Sequence, residues 1–185
     1  MKALVTGGGG FLGGAIVRRL VERGWSLRTL QRGHYPKLDE LGVEQLRGDI
    51  ADADTVSRAV EDCDLVFHVA AKVDPWGAYP PFHRTNVVGT ENVNDFVSEM
   101  PALERYNYVS TFAVAGKRSG IIREHELEHD AGFNNHYEST KYHAEVAVRR
   151  AMEERRIPTS IFRPGVVVGS SRTGETVKYD GPYMV

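Results

Sequence analysis

Four consecutive glycines at residues 7–10 stand between an apolar run, Ala3-Leu4-Val5, and a stretch with helical periodicity. No other feature constrains the fold as tightly. A strand that ends in glycines can turn sharply, because glycine enters left-handed backbone without steric cost. The helix that follows starts with free N–H groups and the positive end of its dipole facing the loop. That arrangement receives an anion, and at a strand–glycine–helix junction the anion is the pyrophosphate of a dinucleotide. Within Thr6-Gly7-Gly8-Gly9-Gly10-Phe11-Leu12-Gly13 the spacing gives a tight turn at Gly7, close backbone approach to the phosphates at Gly10, and room for helix–strand packing at Gly13. Phe11 and Leu12 open the helix at the same cofactor-facing point. Gly8, Gly10 and Gly13 form an equally regular set, so spacing alone leaves Gly7 and Gly8 as alternatives for the first position.

The remaining chain alternates strand-length apolar runs with helical stretches. Strands are expected at residues 2–6, 26–31, 43–47, 65–70, 106–110 and 159–168, and helices at 11–23, 53–61, 82–99 and 136–156. Gly24 stops the first helix, and Pro158 cannot extend the last. This order predicts an α/β fold: a Rossmann-type doubly wound parallel sheet, strand order 3-2-1-4-5-6, with helices on both faces. Residues 1–169 account for that dinucleotide-binding domain together with its catalytic residues. Residues 170–185, polar and glycine-rich before ending on Tyr183-Met184-Val185 as if an apolar element were starting, are expected to begin an incomplete substrate-binding region.

Composition removes several function classes. A net charge of −2 lacks the basic excess of a nucleic-acid binder, and the arginine pairs at 18–19, 149–150 and 155–156 read as solvated helix faces. The single cysteine, Cys63, excludes an internal disulfide and a Cys–Cys zinc site, which suits a reducing, cytoplasmic setting. The N-terminal apolar run is too brief for a leader peptide or a membrane span. His125, His129 and His136 share a polar region with Glu124, Glu126 and Glu128, but their spacing is not that of a zinc site, and no metal is expected.

Cofactor choice is read at the end of the second strand, where an acidic residue would hold the ribose hydroxyls of NAD. Leu30-Gln31-Arg32 stands there instead. With no carboxylate to repel it, a 2′-phosphate can be gripped by the planar fork of Arg32, which favours NADP(H) over NAD(H) without closing the latter.

Further motifs now line up in order. Gly48-Asp49-Ile50 follows the third strand, His68-Val69-Ala70-Ala71 ends the fourth, and Asn86 lies in the next helix. Tyr108-Val109-Ser110-Thr111 then forms the fifth strand, Tyr137-Glu138-Ser139-Thr140-Lys141 opens a helix, and Arg163-Pro164-Gly165 leaves the sixth strand. The set resembles the extended short-chain dehydrogenase/reductases over essentially the whole chain. The resemblance implies that Asp49 and Ile50 contact the adenine, Ala70 and Ala71 line the cofactor, and Pro164 lies beside the nicotinamide. It further implies that Tyr137 transfers a proton, Thr111 holds the reacting oxygen, and Lys141 reaches the nicotinamide ribose and acts on the Tyr137 phenol. The helical spacing of Tyr137 and Lys141 puts both on one face, where an ammonium can act on a phenol.

The expected function is an NADP(H)-dependent oxidoreductase that reduces a carbonyl, or oxidises the matching alcohol, on a hydrophobic acyl or sterol-like substrate. The N-terminal half, with His34-Tyr35-Pro36 and Val73-Asp74-Pro75-Trp76-Gly77, is similar to beta-hydroxysteroid dehydrogenase-like proteins and to the beta-keto acid reductases of bacterial long-chain olefin synthesis. Gly132-Phe133-Asn134-Asn135, Ser171-Arg172-Thr173-Gly174-Glu175 and Asp180-Gly181-Pro182-Tyr183 are similar to thioester and fatty acyl reductases. Two alternatives stay open: a sugar-nucleotide epimerase, and a non-catalytic NADP(H)-binding regulatory domain. Phe112 and Ala113, where dehydratases carry acids, argue against dehydration. Trp76, Tyr79 and Phe82 are candidate pocket walls, and the resemblance implies a homodimer as an assembly to test.

Overall fold

The computed structural model describes residues 1–74 and 76–176. Pro75 and the 180–183 and 183–185 segments singled out above lie outside the described residues. Six strands, β1 (Lys2–Thr6), β2 (Ser26–Gln31), β3 (Glu44–Arg47), β4 (Leu65–His68), β5 (Arg105–Val109) and β6 (Thr159–Phe162), form one sheet in the order β3-β2-β1-β4-β5-β6. Every pairing is parallel, as the alternation of strands and helices predicts.

The period-2 geometry of β1 divides the core. Leu4 faces one side, with Val56 and Ala59 from α3 (Ala53–Val60), Val93 and Val97 from α5 (Gly89–Glu99), and Ala144 and Val148 from α6 (His136–Glu154). Ala3 and Val5 face the other, against Val17 and Leu20 of α1 (Phe11–Val21) and Leu38 of α2 (Pro36–Glu40). Because β1 sends its crossovers both ways, the carboxyl ends of β1 and β4 part into a crevice, where ligands of doubly wound sheets bind.

Several boundaries differ from expectation. β6 ends at Phe162, not near residue 168. Pro164 has no N–H for a ladder, and its carbonyl instead accepts from Phe112 N at 3.1 Å. Likewise β4 stops at His68, because the amides of Val69 and Ala70 donate to the Thr6 side chain. The expected helix over 82–99 begins earlier, as α4 (Tyr79–Phe82), and runs through a π-helical segment (His83–Val88) into α5. α2 and a 3-10 turn over Phe112–Ala115 were not anticipated. Helix α6 starts on a reciprocal cap. Asn135 accepts from Glu138 N at 2.9 Å, and the Glu138 carboxylate accepts from Asn134 N at 2.8 Å.

The Arg149–Arg150 pair is not simply a solvated face. Arg149 Nε donates to buried Glu145 at 3.0 Å, and its other nitrogens donate to the carbonyls of Glu124 and His125. Arg163 closes on the same carboxylate from just past the end of β6, with Nη2 at 2.6 Å, and Ser110 Oγ donates to it at 2.6 Å. Burial alone would push the Glu145 carboxyl up, but the hydrogen bonds of Arg163 and Ser110 outweigh it and hold the group below its ordinary value. Glu145 thus pins α6 to β5 and β6. No helix among the described residues is long and apolar enough to cross a membrane.

Candidate active site

A cleft of about 950 Å³ lies over the carboxyl ends of the strands. Its floor is the glycine loop after β1. Gly7, at φ +73°, makes the turn, and a Cβ there would meet the backbone of Ala70 at 3.0 Å. A Cβ on Gly13 would collide with the Gly7 carbonyl, so α1 can lie this close to β1 only without one. Gly8 faces Thr29 of β2 rather than the cleft, which Gly7, Gly10 and Gly13 line. Gly10 is the N-cap of α1, with no side-chain cap and no acidic residue in the first turn. The uncapped N–H groups and the exposed Gly10 fit a pyrophosphate, whose oxygens would complete the helix start.

The residues singled out from sequence meet in this cleft. Phe11, Leu12, Arg32, Asp49, Ile50, Ala70, Ala71, Thr111, Tyr137, Lys141 and Pro164 all line it along with Gly7, Gly10 and Gly13. Arg32 is exposed at the end of β2 and makes no ion pair among the described residues, whereas nearby Arg84 pairs with Asp49 at 3.1 Å. Trp76, Tyr79 and Phe82 do not line the cleft: Trp76 is exposed, and Phe82 is buried with Lys72 Nζ 5.0 Å from its ring centre. The histidines at 125, 129 and 136 also diverge. His125 sits beside Glu126, His129 bonds the Val114 carbonyl, and His136 packs against Tyr79 and Phe82.

Tyr35 was missed, although it too lines the cleft. Its ring rests on Gly9, whose place a Cβ would contest, and Gln45 bonds both its N–H and its carbonyl at 3.0 Å. The third glycine of the run was the signal, since neither the turn nor the phosphate requires Gly9. Phe112, Val166 and Val167 were missed as well; they line the cleft while exposing apolar surface.

Behind the floor lies a buried polar network whose hydrogens can be placed. Thr6 Oγ1 accepts from the amides of Val69 and Ala70, both at 3.1 Å, so its own proton goes to His68 Nδ1 at 2.8 Å. The His68 Nε2–H then donates to Thr90 Oγ1 at 3.0 Å, and Thr90 donates to the Asn86 carbonyl at 2.7 Å. Asn86, in the π-helical segment, clasps the backbone of Lys72 and donates to Thr140 of α6 at 3.0 Å. Burial, with the Lys141 charge nearby, pushes His68 down to about 3, so the ring is neutral.

Thr111, Tyr137 and Lys141 line the same cleft. Tyr137 is half-buried; burial raises its phenol, and the Thr111 hydroxyl beside it opposes that rise. Thr111 Oγ1 accepts from Ala113 N at 3.2 Å, which leaves its proton for the phenol or for a substrate oxygen. Lys141 is buried, and desolvation pushes its amine down to about 7 against the pull of Glu145. The expected action of the ammonium on the Tyr137 phenol is not what its bonds display. Lys141 Nζ donates to the Tyr108 hydroxyl at 2.9 Å and to the Val109 carbonyl at 2.8 Å.

Fold and site together define an extended short-chain dehydrogenase/reductase. More narrowly, the NAD-binding family model described as Male sterility protein matches residues 44–185, and the chain belongs to that family. The chain is 40% identical over 172 residues to the 2-alkyl-3-oxoalkanoate reductase of Stenotrophomonas maltophilia (strain K279a), covering 91% of this chain and 52% of that protein. Against the 3-beta-hydroxysteroid dehydrogenase of Mycolicibacterium neoaurum it is 30% identical, covering 91% and 48%. Among solved structures, UDP-glucuronic acid 4-epimerase from Bacillus cereus in complex with NAD superposes with a TM-score of 0.78 at 26% identity, covering 91% of this chain and 58% of that one. The chain spans about half the length of these curated relatives.

Proposed function

We propose that this chain carries the cofactor-binding and catalytic half of an NADP(H)-dependent reductase acting on a carbonyl of a hydrophobic acyl or sterol-like substrate. One observation carries the reading: Thr111, Tyr137 and Lys141 share a single cleft with the uncapped start of the glycine-loop helix. The glycine loop, Asp49, Ile50, Ala70, Ala71 and Pro164 would hold a nicotinamide dinucleotide, which supplies hydride exchange with a carbonyl carbon. The chain's own residues handle the proton: Tyr137 donates it to the carbonyl oxygen during reduction, while Thr111 holds that oxygen by a hydrogen bond. Lys141 keeps positive charge beside the phenolate that results.

Arg32 supports NADP(H), because an exposed, unpaired guanidinium at the end of β2 suits a 2′-phosphate. Phe112, Val166 and Val167 support an apolar substrate, in keeping with relatives named for 3-oxoalkanoate and hydroxysteroid chemistry. The likeness to a UDP-sugar epimerase favours epimerisation as a second reading. The exposed Phe112 after Thr111 weighs against it, since a sugar hydroxyl finds no partner in a phenyl ring. Residues 170–185 are assigned to the start of the substrate-binding part.

The test is NADPH oxidation with a panel of 3-oxoacyl and 3-oxosteroid compounds and, separately, UDP-sugars. Tyr137→Phe is expected to remove turnover while NADPH binding persists. Equal turnover by that variant would refute the assigned role, and conversion of UDP-sugars alone would transfer the reading to the epimerase.

A further inference from the structure

Two phenols, Tyr106 and Tyr108, point from β5 into the same core and are completely buried. Packing alone would be served as well by phenylalanine, since a buried hydroxyl must find a partner to offset its desolvation. Tyr106 has none among the described residues, and its hydroxyl remains unpaired. Tyr108 differs: its hydroxyl accepts from Lys141 Nζ at 2.9 Å, and its ring centre lies 4.4 Å from that nitrogen. The same strand supplies the amine's second acceptor, the Val109 carbonyl at 2.8 Å. An ammonium has three N–H bonds, so two tie Lys141 to β5 and one is left over. Lys141 itself lines the cleft, as do Ser110 and Thr111, which follow Tyr108 and Val109 just past the end of β5.

We propose that Tyr108 is a positioning residue of the site: its hydroxyl clamps the Lys141 ammonium to β5, so that the remaining N–H and the charge are presented to the cleft beside Tyr137. This rests on the reductase reading for its catalytic meaning, but the clamp is a property of the chain alone. The groups that act on the amine or feel its charge are His68 from β4, Tyr108 from β5 and Glu145 from α6, while Tyr137 of α6 acts on Tyr108. His68 is neutral and Tyr137 is protonated at neutral pH. The acceptors that favour a charged amine are therefore Tyr108, the Val109 carbonyl and, more distantly, the Glu145 carboxylate. A free, unclamped lysine side chain has several rotatable bonds to lose on each turnover; a clamped one has spent that entropy in folding.

The polarity of the buried network separates positioning from proton relay. Thr90 accepts from His68 and gives its own proton to the Asn86 carbonyl, so no proton can be handed from the Lys141 end through Thr90 to His68 without reversing that bond. The Tyr108 hydroxyl also bonds the Thr90 side chain, which joins the clamp to this network as a fixed support rather than a proton relay to His68.

The test is an NMR titration of lysine-labelled protein, with the Lys141 resonance assigned by its absence in Lys141→Met, comparing the unsubstituted chain with Tyr108→Phe. Loss of a hydrogen bond to a charged group should lower the Lys141 midpoint by about one pH unit; an unchanged midpoint overturns the clamp. Should Tyr108→Phe not fold, the Tyr108 ring carbons of the unsubstituted chain must report the Lys141 midpoint, and a different midpoint overturns it equally. With NADPH and a reducible ketone, the variant should lose about tenfold in kcat with KM little changed, and its pH–rate profile should shift with the amine. A pH-independent loss shared by KM would mean a structural role and refute positioning. An NMR shift in a chain that reduces nothing would support the clamp and defeat the reductase reading.

Discussion

Replacing His68 with glutamine should flatten the acid limb of stability. The imidazole is buried at 1% exposure between the hydroxyls of Thr6 and Thr90, with Lys141 and Tyr108 as its nearest charged and titratable neighbours. Its folded pKa is pushed down to about 3, whereas an unfolded histidine titrates near 6.5. A depressed folded value means that the unfolded chain takes up the proton first. The stabilisation is therefore complete above about pH 6.5 and is lost as pH falls toward 3. Across the two units from pH 6.5 to 4.5 the loss is about 2 kcal/mol from this residue alone. Glutamine can accept from Thr6 and donate to Thr90 without titrating. Glu44, Asp49 and Glu145, all held below their ordinary values, titrate lower and are common to both proteins. Urea unfolding at half-unit intervals should thus show a steep loss in the unsubstituted chain and a shallow one in His68→Gln. Parallel curves would refute both the buried neutral ring and the hydrogen placement drawn from it.

Other expectations follow from the same geometry. Lys141, with its folded value near 7, is the same case at higher pH: the unfolded amine keeps its proton longer, so stability should rise by about 1.4 kcal/mol per unit between pH 7 and 10. Lys141→Met should remove that slope in the same urea assay. Gly13→Ala sets a Cβ against the Gly7 carbonyl and should cost about 1–3 kcal/mol while abolishing nucleotide binding, as thermal shift with and without NADPH would show. Glu145→Gln leaves Arg163 and Arg149 around a neutral amide and should destabilise by about 3 kcal/mol, measured by urea midpoint.

How much of this was legible beforehand depends on the range of the interaction. The glycine junction is local, and each glycine's duty could be assigned from the steric needs of a turn and a close helix. Tyr137 and Lys141 both line the cleft because a helix repeats every few residues, so their spacing gives them a shared face. Short elements were harder. α2 is five residues long, too brief for any periodicity to register. The valines at 166–168 were read as strand because they are apolar, yet Val166 and Val167 are apolar toward the cleft. The π-helical segment depends on which carbonyl each amide selects, a choice settled by Asn86 reaching Lys72 and Thr140. Arg149 looked like surface because its charge said so, while its partner Glu145 is one turn away and fully buried. Most hidden of all was Tyr108, since only the folded sheet brings it to a lysine 33 residues distant.

The central claim is that the glycine loop, Arg32 and the wall carrying Thr111, Tyr137 and Lys141 form one nicotinamide dinucleotide site. Calorimetric titration of the chain with NADPH and, separately, NADH tests it most directly. The account predicts one site per chain with tighter binding of NADPH, a preference that Arg32→Ala should abolish. Absence of heat and of any thermal stabilisation with either nucleotide would contradict it.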